Sequence, residues 1–169
     1  MSKLGIYLND HYAASVAAVA LARRAAQSNR GTRYGQMLAS LAVEVEEDRQ
    51  ALKLIMQRLG IRSDPAKAAV AWSAEKLGRL KLNGQLTGYS PLSRLEELEI
   101  LSLGVEGKLA MWRALRRAAD HGVPEVELET LVKRALSQRR RLEHQRLIAA
   151  SEALSETAPD DSPYKTAAR

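Results

Sequence analysis

Residues 38–60 read LASLAVEVEEDRQALKLIMQRLG, an apolar series interrupted by four acids. At about 100° per residue, Leu38, Leu41, Val45, Leu52, Ile55 and Leu59 fall on one stripe of a helix. The missing member of that series is Asp48, which stands at the centre of the apolar face. Glu44 lies about 60° from that centre, at its margin. Glu47 is further round, and Glu46 shares the outer face with Arg49 and Lys53. A carboxylate on an inward stripe must be paired, hydrogen-bonded or protonated, because an isolated buried charge is costly. The stretch therefore predicts a bundle helix with one acid turned into the core.

The rest of the chain fits that helix into an all-α protein. Of 169 residues, 46 % are apolar, yet Phe is absent and aromatics are 4 %. Ala, Leu, Arg and Glu, all good helix formers, dominate, and β-branched runs that would propose a strand are missing. Turn and cap residues mark five segments. The first runs from about Leu4 to Gln27 and stops at the turn SNRGT; the second runs from about Thr32 to Leu59, with Gly60 as its stop. Asp64-Pro65 opens a third, which fades near Asn83-Gly84. Ser90-Pro91 opens a fourth, reaching about Asp120, and a fifth follows Pro124 to about Leu154. The expectation is an antiparallel up-and-down four-helix bundle with an additional helix, one domain over 1–155, and a polar, flexible tail over 156–169.

Composition excludes some chemistry. Without cysteine there is no disulfide, thiolate metal site or Cys nucleophile. MSKLGIYLNDHY lacks the apolar core of a signal peptide, and the apolar run Ala13 to Ala22 is about half a membrane span. A cytoplasmic protein without membrane insertion is expected. The net charge is +6, concentrated in residues 133–146, KRALSQRRRLEHQR. A solvated helix face accounts for that run, and with no aromatic platform beside it nucleic-acid binding is a minor alternative.

Candidate site residues follow from facing stripes. The first segment presents Leu4, Tyr7, Leu8, His11, Ser15, Ala18, Ala22 and Ala25 inward. Folding back about residue 31 sets position 48 opposite position 14, with His11 one turn away, about 4.5 Å along the axis. A His11–Asp48 contact is expected, with Lys76 and Arg79 of the third segment near the same height. Such a pair either fixes helix register or belongs to a proton-handling or metal site that includes Glu44 and, further off, Glu75 or Glu106. The register role is the simpler explanation.

The fourth segment carries the stripe Leu95, Leu98, Ser102, Val105, Leu109 and Trp112, and a second one at Leu92, Leu103 and Ala110. Glu99 and Glu106 fall between them, so they are expected on or near the buried arc of the most central helix. Gly104 and Gly107 would admit a neighbouring backbone. The fifth segment has Leu128, Leu131, Val132, Ala135, Leu142, Ala149 and Ala153 on one side, with Arg139 and Arg146. Folding about residue 121 pairs Glu106 with Arg139 and Glu99 with Arg146, which makes ion pairs the economical explanation of these glutamates. His144 points away from the stripe and His121 lies in a loop; both are expected at the surface.

Long antiparallel helices with inward acids and a His resemble the ferritin-like bundle proteins. For diiron members the resemblance implies Glu on two helices and Glu-x-x-His on two others. Leu8, Ala118 and Arg141 stand three residues before His11, His121 and His144, so the ligand set does not carry over. The stretches YLNDHYAAS (7–15), EVEEDRQAL (44–52), AWSAEKLGRLKL (71–82) and SLGVEGKLAMWRAL (102–115) resemble a group of short bacterial proteins without an assigned activity, which implies a shared bundle and no chemistry. Neither a phosphate-binding glycine loop nor a G-x-S-x-G elbow is present. Gly104 to Lys108 is embedded in an apolar helix, and the loop before Pro91 is explained by capping rather than by anion binding.

The expected function is that of a non-catalytic interaction or scaffold protein that self-associates, with no catalytic residue and no cofactor; no small-molecule ligand is indicated. The alternatives are a His11–Asp48–Glu44 site for Fe, Mn or Zn or for a proton, and weak binding of nucleic acid or an anionic surface through the basic fifth segment.

Overall fold

The computed structural model describes residues 2–63, 89–118 and 122–155. They form four helices and no strands: α1 (Lys3–Ser28), α2 (Gly35–Arg58), α3 (Pro91–Arg117) and α4 (Glu125–Leu154). None is long and apolar enough to cross a membrane. The expected helix over 65–83, with Glu75, Lys76 and Arg79, lies outside the described residues, as do His121 and the tail over 156–169.

Local chemistry explains each boundary. Ser2 caps α1 by accepting from the Gly5 N–H at 3.0 Å, and Ser90 caps α3 by accepting from Ser93 N–H at 3.0 Å, ahead of Pro91. The expected start of α2 at Thr32 moves to Gly35. The Thr32 hydroxyl donates to the Asn29 carbonyl at 2.8 Å and accepts from Tyr34 N–H at 3.2 Å, so this residue is used in the turn. Gly35 has its own reason: a Cβ there would lie 2.6 Å from the Asn29 carbonyl oxygen. Gly60, at φ +67°, ends α2.

α1 packs along α2, and α3 along α4. The two hairpins meet through α1 against α3 and, over a shorter stretch, α2 against α4. Tyr89, entering α3, bonds to Asn29 at the α1–α2 turn, whereas Leu59 and Ile61, leaving α2, pack at the opposite end. Hence α2 and α3 run the same way, and every packed pair is antiparallel.

The core has two apolar lobes. One gathers Ala22, Leu38, Leu41, Leu98, Val105 and Leu142 beside the α1–α2 turn; the other gathers Leu8, Leu52, Ile55, Leu109, Trp112 and Leu128 at the far end. Between them lies one polar residue from each helix: Ser15, Asp48, Lys108 and Gln138. Two expectations for α3 are corrected here. Its second stripe is not buried: Leu103 is 69 % exposed, and Leu92 and Ala110 are also exposed. Among the described helices α3 packs mainly against α1 and α4, which leaves that arc outward. Nor do Gly104 and Gly107 seat a neighbouring backbone, because a Cβ at either would meet nothing within 4 Å.

Candidate functional site

The polar layer is built around Asp48, which is 2 % exposed. The Lys108 ammonium donates to Asp48 Oδ2 and, at 2.6 Å, to Gln138 Oε1. The Gln138 amide nitrogen donates to the same Oδ2 at 3.0 Å. Arg134 Nη2 stands 2.6 Å from Asp48 Oδ1, off the direction of a hydrogen bond, while its Nη1 donates to Glu47 at 3.0 Å. One buried carboxylate thus faces two cations and an amide that bonds to both members of the pair. Burial pushes the Lys108 ammonium below its ordinary 10.5, with Asp48 opposing that fall. Such a network stabilises the bundle only while complete, since loss of one member strands the others in a low-dielectric interior.

Asp48 therefore has partners other than the expected His11. Among the described residues no hydrogen bond or ion pair joins the two. His11 is half-buried and stacks edge-on with Tyr7, the ring centroids 4.7 Å apart. Matching heights on α1 and α2 placed the two residues at one level. The stripe of α2, however, aims at the bundle axis, where the long side chains of α3 and α4 also reach. Burial holds the His11 imidazole below its ordinary 6.5, and Asp10 opposes the shift.

The other candidate acids among the described residues, and Glu46, pair with guanidinium groups. Glu44 pairs with Arg141, and Glu46 with Arg49, which also donates to the Tyr12 hydroxyl at 3.1 Å. Glu106 meets Arg139 at 3.2 Å, and Glu99 lies 3.7 Å from Arg146, as the fold-back about residue 121 requires. Their expected burial is corrected: Glu99 and Glu106 are about half-exposed, at 49 % and 50 % of the side chain, on the outer edge of the α3–α4 seam. His144 is exposed.

Among the described residues, no three His, Asp or Glu side chains converge as metal ligands. His11, Asp48 and Glu44, the expected candidates, are not brought together. An ion at Asp48 would also have to displace an ammonium and a guanidinium.

A cavity of about 250 Å³ opens beside the layer, between α1 and α3 and floored by Val45, Asp48, Arg49 and Leu52 of α2. Its polar end holds His11, Asp48, Lys108 and Trp112; toward the α1–α2 turn its walls become Ala18, Leu21, Ile100 and Leu101. Gly104 and Gly107 leave one wall without side chains. Trp112 is fully buried, and its indole N–H has no hydrogen-bond partner.

A second polar cluster, at the α1–α2 turn, was not foreseen. Asn29, fully buried, donates to the Ala25 carbonyl at 2.9 Å and the Tyr89 hydroxyl at 2.6 Å, and accepts from Arg94 at 2.7 Å. Glu97 accepts from Arg24 at 3.0 Å and Tyr89 at 2.9 Å. Burial pushes the Tyr89 phenol up to about 12. These contacts tie the entry of α3 to the turn.

The chain matches no protein-family model, no curated protein and no solved structure.

Proposed function

We propose that the protein is a non-catalytic helical-bundle protein that works by binding, and that the α1–α3 cavity is where a ligand is held. The cavity carries this reading: about 250 Å³ with one charged and one apolar end, beside the buried polar layer. The Asp48–Lys108–Gln138 layer supports a register role, because each residue bonds to the other two across three helices. The parallel course of α2 and α3 supports a ferritin-like order. The ion pairs at Asp48 and Glu44 give the metal alternative no support.

Thermal unfolding in the presence of benzene, octanol and octanoate tests the binding reading. A ligand present at 100 times its Kd stabilises by about 2.7 kcal/mol, which raises the midpoint by several degrees. No rise with any of the three would overturn it.

Self-association is the second reading, supported by the exposed Leu92 and Leu103 on the outer arc of α3. Light scattering after size exclusion should give a dimer, and a strict monomer at tens of micromolar removes it. Arg134, Arg139, Arg141 and Arg146 all hold carboxylates, so most of the basic run of α4 gives the nucleic-acid alternative no support.

A further inference from the structure

The layer leaves hydrogen-bond capacity unspent on the cavity side. A lysine ammonium has three donors, and Lys108 uses two, on Asp48 and Gln138. Four residues on, and so on the same face of α3, the Trp112 N–H is buried without a partner. A buried donor left unmatched is costly, so a group that supplies an acceptor here is favoured. Both residues line the same end of the cavity, and both are donors.

The other end selects the rest of the ligand. Lys108 and Leu101 are seven residues apart on α3, or about 10 Å along its axis, and the walls over that distance include Ala18, Leu21 and Val105. An apolar cavity of roughly 150 Å³ holds benzene. The 250 Å³ here therefore takes a ring with a short side chain, or an aliphatic chain of similar bulk.

We propose that the α1–α3 cavity binds a small apolar monocarboxylate, its carboxylate on the Lys108 ammonium and the Trp112 indole N–H, its hydrocarbon running toward Leu101. This inference rests on the binding reading above and adds the ligand class. Water at the Trp112 N–H would satisfy the donor but leave the apolar end unfilled.

The test uses the full chain with Trp72→Phe, which leaves Trp112 as its tryptophan. Indole fluorescence is followed while octanoate or phenylacetate is added, with octanol and phenylethanol as neutral matches. Saturable binding is expected, at least tenfold tighter for each carboxylate than for its alcohol. Lys108→Met should remove that preference and leave alcohol binding in place. Gly104→Leu, which adds bulk at a lining position of the cavity, should abolish the response to all four probes while far-UV circular dichroism is kept. If alcohols bind as tightly as carboxylates, the ligand class is wrong and the cavity reading stands. If no probe binds, both fail. Octanoate binding undiminished in Gly104→Leu places the site elsewhere and overturns the proposal, whether or not Lys108→Met folds.

Discussion

Replacing Asp48 by Leu removes the one acid of the polar layer, and the structure says what each neighbour then loses. Arg134 is 28 % exposed and keeps Glu47, so it stays paired. Lys108, only 14 % exposed, keeps the Gln138 carbonyl and no counter-charge. The Gln138 amide nitrogen loses its acceptor in a fully buried position. Breaking a buried pair from one side costs about 3–5 kcal/mol. For a chain of this length each kcal/mol lowers the midpoint by about 2–4 °C. Lys108→Met should cost less, about 1–3 kcal/mol, because Asp48 still has Arg134 and Gln138. The double variant strands no ion and should be more stable than Asp48→Leu alone, giving a coupling of at least about 2 kcal/mol. Equilibrium urea unfolding of the four proteins at pH 7 measures this cycle. The Asp48→Leu defect should also shrink as pH rises toward 10.5. With the Lys108 pKa depressed in the folded state, the unfolded chain binds more protons in that window, and stability grows with pH. Additive single losses, each under about 1 kcal/mol, would refute the reasoning.

Other substitutions separate buried from exposed effects. Gly104→Ala should stabilise α3 by about 1 kcal/mol, since the added Cβ meets nothing within 4 Å; denaturant midpoints check it. Arg139→Ala should change stability by under about 0.5 kcal/mol in the same assay, because the Glu106–Arg139 pair is half in water. Asn29→Leu should cost about 1–3 kcal/mol by removing its bonds to Tyr89 and Arg94, although Tyr89 keeps Glu97 and Arg94 keeps Glu152. For His11 the depressed pKa means that the unfolded chain protonates first, so stability is lost as pH falls below 6.5. His11→Gln should flatten that part of the urea–pH profile.

Periodicity was enough to place Asp48 inside, because the stripe Leu38, Leu41, Val45, Leu52 and Ile55 is regular and Asp48 fills its gap. Its partners were legible by the same rule, had it been applied to every helix. Asp48 stands three residues after Val45 and four before Leu52; Lys108 stands so between Val105 and Trp112, Gln138 between Ala135 and Leu142, and Ser15 between Tyr12 and Val19. The same slot on four helices makes one layer. Lys108 was hidden by its charge and its glycine neighbours, although a long aliphatic stem lets an ammonium reach a core acid. Height alone favoured His11, but height does not fix which way a side chain turns. The pairs Glu106–Arg139 and Glu99–Arg146 followed from the short α3–α4 connection, which sets their register. Their exposure did not, because a stripe of leucines looks the same whether or not a neighbour covers it. The Asn29–Tyr89–Glu97 cluster joins residues about 60 positions apart through single polar side chains that follow no period.

The most direct measurement is a carbon-13 NMR titration of the lysine Cε resonances. The account predicts that the Lys108 signal, assigned by its loss in Lys108→Met, titrates below 10.5 and shifts when octanoate, but not octanol, is added. A Lys108 signal that titrates with the surface lysines and ignores octanoate would contradict both the buried ion pair and the site built on it.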